Sequence, residues 1–174
     1  MSFHRKWVDP EIIDVELMKL ILSKATHLTV AISDGVEPYA VPLSYVYDAE
    51  ENAVYFHCAA VGKKMEILRK NPRVWCISVI DHGFGPGICQ NIYASIMFSG
   101  EATFPENVEE KLSALRKQIR RNGGDVEGAL KRLEAIAEQS ETIKGMTVGR
   151  ISVGLMTGKR STSLPEERLR EMLA

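Results

Sequence analysis

Sulfur cannot hold this chain together: Cys58, Cys76 and Cys89 are the only cysteines in 174 residues. Their odd number and the lack of any Cys-x-x-Cys spacing exclude a disulfide framework and a zinc motif, and fit a reducing compartment. His57 and His82 add no short paired spacing to them, so no metal site is expected. Charge of one sign is lacking as well. The 22 Lys and Arg nearly balance 23 Asp and Glu, which leaves no broad field for nucleic acid or an anionic membrane surface. No apolar run approaches the roughly 20 residues of a membrane span, and residues 1–10 carry charges where a secretory signal would be apolar. A cytoplasmic protein without a membrane or nucleic-acid partner is the expectation. The run Gly83-Phe84-Gly85-Pro86-Gly87 has neither the GxGxxG nor the GxxxxGK[ST] spacing, which excludes dinucleotide and P-loop readings. What the chain does have is 45% hydrophobic residues, enough to bury one core in a single domain over residues 1–174.

Asp9-Pro10 offers a cap and a first helical residue, and Ile13, Leu17, Leu20 and Ile21 then recur at helical spacing, so a helix is expected over about 10–24. From His27 the period changes to two, with Leu28, Val30 and Ile32 on one face, until Asp34-Gly35 turns the chain. Residues 39–47 alternate in the same way, and after a turn over 48–52 a third strand is expected over 53–58, giving three antiparallel strands in succession. Gly62 to Lys70 reads as a short helix stopped by Asn71-Pro72. Strands follow at 74–80 and 93–104, separated by a glycine-rich loop over 81–91. Val108, Leu112, Leu115 and Ile119, then Val126, Leu130, Leu133 and Ile136, mark two amphipathic helices, a helical insertion over about 107–140. A last strand is expected over about 147–156, and the tail 165–173 is weakly helical. The fold class is mainly antiparallel β with added helices.

The stretch from Tyr55 to Lys64 is the most informative for chemistry. A strand ends in the small residues Ala59 and Ala60, and a helix begins at Gly62 with Lys63 and Lys64. Amides at a helix start, the positive end of its dipole and two lysines together suit a phosphate. Two lysines in the first turn otherwise have the wrong sign for the dipole, although such pairs are also common as solvated surface residues. His57 stands beside this turn, as a hydrogen-bonded structural residue or as an acid or base. Pro42 removes a ladder donor from a strand and implies an edge or a bulge. The basic run Arg116 to Arg121 reads as the wet side of an amphipathic helix, not a nucleic-acid patch.

Taken in order, Pro38-Tyr39-Ala40-Val41-Pro42-Leu43-Ser44-Tyr45, Tyr55-Phe56-His57-Cys58-Ala59, Gly62-Lys63-Lys64 and Asn71-Pro72-Arg73-Val74 resemble the pyridoxamine 5′-phosphate oxidase-like FMN-binding split β-barrels, and among them the 5-nitroimidazole resistance branch. The resemblance implies a homodimer with FMN at the interface. It places Val41, Pro42, Leu43 and Ser44 alongside the isoalloxazine ring, and His57, Cys58, Gly62, Lys63 and Lys64 around the ribityl phosphate. Tyr93 and Ser95 enter as further flavin contacts, and His57 as a catalytic contact for substrate. The oxidases of this family carry an arginine-rich C-terminal motif that grips pyridoxal phosphate, whereas this chain runs Thr157-Gly158-Lys159-Arg160-Ser161, so vitamin B6 oxidation is not expected.

The expected function is an FMN-dependent oxidoreductase that takes electrons from NADH or NADPH and passes them to a small organic acceptor such as a nitroaromatic compound. A flavin carrier or sensor without turnover is one alternative. A haem-binding barrel with His57 or His82 as axial ligand is the other.

Overall fold

The computed structural model describes residues 9–85, 90–138 and 140–174. The chain opens with a two-residue strand, β1 (Glu11–Ile12), and α1 (Val15–Lys24). The helix therefore begins later than Asp9-Pro10 suggests. Asp14 is its cap, with Oδ1 accepting from the amides of Glu16 and Leu17 at 2.8 and 3.3 Å, while the Asp9 carboxylate accepts from Tyr93 Oη at 2.8 Å and Gln90 Nε2 at 3.1 Å. Leu17, Ile21 and Leu22 of α1 are fully buried, as their spacing requires.

β2 (His27–Ser33) and β3 (Pro38–Ser44) form the expected hairpin, and Asp34 Oδ1 accepts the Val36 amide in its turn. The strand expected over 39–47 divides at Tyr45. Beyond it, β4 (Val46–Asp48) pairs not with β2 but with β5 (Ala53–Cys58). Next come α2 (Lys63–Lys70), β6 (Arg73–Gly85) and β7 (Gln90–Thr103). The loop expected from residue 81 is shorter than its glycines suggest, because β6 continues to Gly85 through a bulge between Asp81 and Phe84 in which Gly83 takes φ +81°. Pro86, Gly87, Ile88 and Cys89 lie outside the described residues. The insertion holds α3 (Val108–Asn122), α4 (Val126–Ala137) and a short α5 (Ser140–Gly145). The strand expected over 147–156 is two, β8 (Thr147–Ser152) and β9 (Met156–Arg160), before α6 (Glu166–Leu173) ends the chain.

The strands run in the order β3-β2-β6-β7-β8-β5-β4, with β9 beside β7 and β1 beside β9. β7 is the pivot of this split barrel. Its residues 94–98 pair with β9 and its residues 102–103 with β8. Gly100 stands between the two pairings, where a Cβ would lie 2.3 Å from Ser152 O, so the backbones can approach only at glycine. The two outermost strands of the order, β3 and β4, are consecutive in the chain, and the sheet is not closed by a ladder between them.

Two cores result. Val30, Ile32, Val54, Phe56, Ile96, Phe98 and Ile151 fill the barrel under α1 and α6. On the other side of β5 and β8, Tyr55 and Val148 meet Leu112, Leu115, Leu133 and Ile143 from the insertion. Because side chains alternate along a strand, β5 serves both cores, Phe56 facing the barrel and Tyr55 the helices. Among the described residues no helix is long and apolar enough to cross a membrane.

Candidate functional site

The turn from β5 into α2 is exposed from Ala59 through Lys63. Gly62 takes φ +115° and ψ 167°, a region that only glycine occupies readily. Its carbonyl accepts from the Met65 and Glu66 amides at 2.9 and 3.1 Å, which starts the helix. No side chain caps that start, and the amides of Lys63 and Lys64 precede the first carbonyl that could accept them. Arg69 at the far end of α2 ties the turn down by donating to Ala60 O at 2.9 Å. The two lysines differ. Lys63 lies 3.6 Å from Glu37 and over the Tyr39 ring at 4.9 Å. Lys64 is half-buried over the Phe56 ring at 5.7 Å and has no carboxylate partner among the described residues. An uncapped helix start beside an unneutralised ammonium is a donor set that fits a phosphate.

β3 is an edge strand, which is what Pro42 required. Its even-numbered residues Pro42 and Ser44 are exposed, opposite Thr29 and His27, whereas Leu43 is buried and Val41 half-buried against the barrel core. Val41 and Leu43 therefore offer a ligand their main chain, not their side chains.

His57 and Cys58 are neighbours whose side chains part. Cys58 Sγ turns to Met65 Sδ at 3.8 Å. His57 is exposed on the insertion side of β5, its Nδ1 3.0 Å from Gln118 Oε1. Gln118 Nε2 reaches Ser44 O at 3.3 Å, so one amide joins the end of β3 to the end of β5. Three residues on, Arg121 donates through Nε to Tyr45 O at 2.9 Å and through Nη2 to Ala25 O, with its guanidinium 5.1 Å from the Tyr45 ring centre. Lys117 pairs with the buried Asp48. The run from Arg116 to Arg121 is thus only partly a solvated face, and Gln118, Lys117 and Arg121 are what sequence reading missed. The one available signal was a glutamine three positions after Leu115, on the apolar side of the helix.

Tyr93 and Ser95 stand apart from this cluster within the chain. Tyr93 donates to Asp9 and its amide lies 3.3 Å from Ser161 Oγ. Burial first, and then the Asp9 carboxylate, push its phenol up to about 12. Ser95 faces outward between Val79 and Lys159. It shares this outer face with Trp75, Ile77, Val79 and Met97, which are 45%, 36%, 46% and 43% exposed, and with Pro42 and Ser44 at the β3 edge.

The open antiparallel barrel is that of the split-barrel class, and solved structures similar to it include an FAD-binding protein and a haem storage protein. Within that class the chain belongs to the pyridoxamine 5′-phosphate oxidase family, whose model matches residues 14–160. A candidate 5-nitroimidazole antibiotic resistance protein from Bacteroides thetaiotaomicron superposes with a TM-score of 0.70 at 24% identity, over 91% of this chain and 95% of that one. An FAD-binding protein from Mesorhizobium loti gives 0.60 at 21% identity, over 90% and 100%. A flavocytochrome from Azotobacter vinelandii gives 0.67 at 17% identity, over 87% and 69%. No curated protein matches the chain.

Proposed function

We propose that this chain is a cytoplasmic FMN-binding oxidoreductase that draws electrons from a reduced nicotinamide and passes them to a small organic acceptor such as a nitroaromatic compound. The observation that carries the reading is the start of α2, where a glycine at φ +115°, an uncapped helix and the unneutralised Lys64 meet. When bound, FMN supplies reversible electron transfer. The chain's own part is to hold and orient it. Lys64, Lys63 and the amides that follow Gly62 take the phosphate, with Cys58 lining the turn from the core side. The main chain of Val41 and Leu43 and the exposed sides of Pro42 and Ser44 border the ring. His57 meets the substrate.

A homodimer completes the site. The outer face of β6 and β7 exposes Trp75, Ile77, Val79 and Met97 side by side, and an apolar patch of this kind is what a subunit interface covers. Ser95 lies on that face and Tyr93 near its end, so both reach a flavin through the subunit contact.

Purified protein is titrated with FMN, freed of excess and examined by absorbance. Blue-absorbing protein bleached by NADH or NADPH supports the reading, flavin that is bound but never reduced makes the chain a carrier, and a Soret band replaces flavin with haem. Lys64→Ala is expected to cost about 1.5–3 kcal/mol of FMN affinity, roughly 10- to 150-fold in Kd. Unchanged affinity removes Lys64 from the phosphate site.

A further inference from the structure

Gln118 is 5% exposed and makes two hydrogen bonds of opposite sense, to Ser44 O at 3.3 Å and to His57 Nδ1 at 3.0 Å. A backbone carbonyl only accepts, so the end of the amide that faces Ser44 is its NH2. That leaves Oε1 for the histidine. Oε1 also only accepts, so the contact is a hydrogen bond only when Nδ1 carries a proton. The reversed amide would set two acceptor oxygens against each other in a position nearly closed to water. In a neutral imidazole with the proton on Nδ1, the other nitrogen is a bare lone pair. Nε2 of His57 bonds to no described residue and its ring is exposed.

We infer that Gln118 is a positioning residue that fixes neutral His57 as its Nδ1–H tautomer and so presents Nε2 to the site as an acceptor. The group that meets Nε2 is then a donor: a hydroxyl, an N–H, or an acidic proton that the ring removes. Neutral His57 does not grip an oxyanion, and anion binding falls to Lys63, Lys64 and the start of α2. The consequence for substrate rests on the function proposed above, whereas the tautomer does not.

The full-length protein as purified, with its histidine rings labelled with 15N, is studied by long-range 1H–15N correlation on the alkaline plateau of the ring's own titration. His57 is assigned by a His57→Asn variant. A protonated, pyrrole-type Nδ1 and a pyridine-type Nε2 are expected. Gln118→Leu removes the acceptor opposite Nδ1 and is expected to move the proton toward Nε2. Wild-type protein with the proton on Nε2, or retention of Nδ1–H in the Leu variant, overturns the inference. If the Leu variant does not fold, the wild-type spectrum decides alone. The spectra need no flavin, so failure to bind FMN with Nδ1–H present sinks the proposed function only, and FMN binding with Nε2–H present sinks only the role of Gln118.

Discussion

Replacing Gly149 by alanine tests how tightly the barrel is closed over Phe56. The two residues are direct cross-strand partners between β5 and β8. A methyl group at 149 would lie 2.2 Å from Phe56 Cζ and 2.5 and 2.7 Å from the two Cε atoms, all well inside the roughly 3.5–4.0 Å at which carbon atoms attract. The ring has little room to retreat. Phe56 is 1% exposed, and it meets Phe104 edge-on with centroids 6.4 Å apart and planes at 84°. Accommodation therefore requires an unfavourable rotamer or a parting of β5 from β8, which puts the cost near the upper end of the roughly 1–3 kcal/mol typical of overpacking. Alanine recovers about 0.5–1 kcal/mol of the entropic cost of a strand glycine. The net loss is about 2 kcal/mol, or roughly 4–8 °C in Tm for a chain of this size. Urea unfolding reads it as a lower midpoint at unchanged m-value. The same substitution in a Phe56→Leu background, where the ring is gone, is expected to cost much less. A Gly149→Ala protein as stable as wild type, or an equal penalty in both backgrounds, refutes the steric argument.

Two further outcomes follow from buried groups. Cys76 is 1% exposed and burial pushes its thiol up to about 12; because the thiolate is the reactive form, alkylation followed by peptide mapping is expected to label half-buried Cys58 well before Cys76, with Cys76 reacting only as urea unfolds the protein. Rapid labelling of Cys76 in native protein contradicts this placement. Burial raises the Asp48 carboxyl, but the Lys117 ammonium and the amides of Glu51 and Glu50 outweigh it and hold the group below its ordinary 3.8. A depressed acid stabilises fully above its unfolded value and loses that contribution as pH falls through the folded one, so the deficit of Asp48→Asn, about 1 kcal/mol near neutrality, is expected to shrink below roughly pH 4. A deficit that grows in acid refutes the sign.

The parts legible in the sequence are those where one local rule acts alone. Alternation over His27–Ser33 assigns Leu28, Val30 and Ile32 to the interior, and all three are buried. Pro42 marks an edge because a missing donor is tolerated only there. Where two local rules compete, the neighbouring chain decides. Asp9 and Asp14 are both sound helix caps, but Ile12 is drawn into register with Gly158, which leaves Asp14 to start the helix. Tyr45 carries no local sign that its strand changes partner. Nor does periodicity tell an arginine that donates to Tyr45 O from one that donates to water, so the insertion reads from sequence only as a pair of amphipathic helices.

Its position in the fold makes it more than that. β3 ends at the Ser44–His27 pair and β4 begins at Val46, so buried Tyr45 stands between the two ladders and its carbonyl must find a donor outside them. Gln118 and Arg121, one helical turn apart, supply donors to Ser44 O and Tyr45 O. The helix that satisfies the break thus also holds His57, because both tasks fall to the same glutamine. A substitution that shifts α3 moves the junction and the histidine together, whereas one confined to α2 acts on the lysines and leaves the histidine in place. Variation in the insertion is therefore expected to act on His57 without disturbing the turn at Gly62, which under the proposed function separates the choice of substrate from the grip on the flavin.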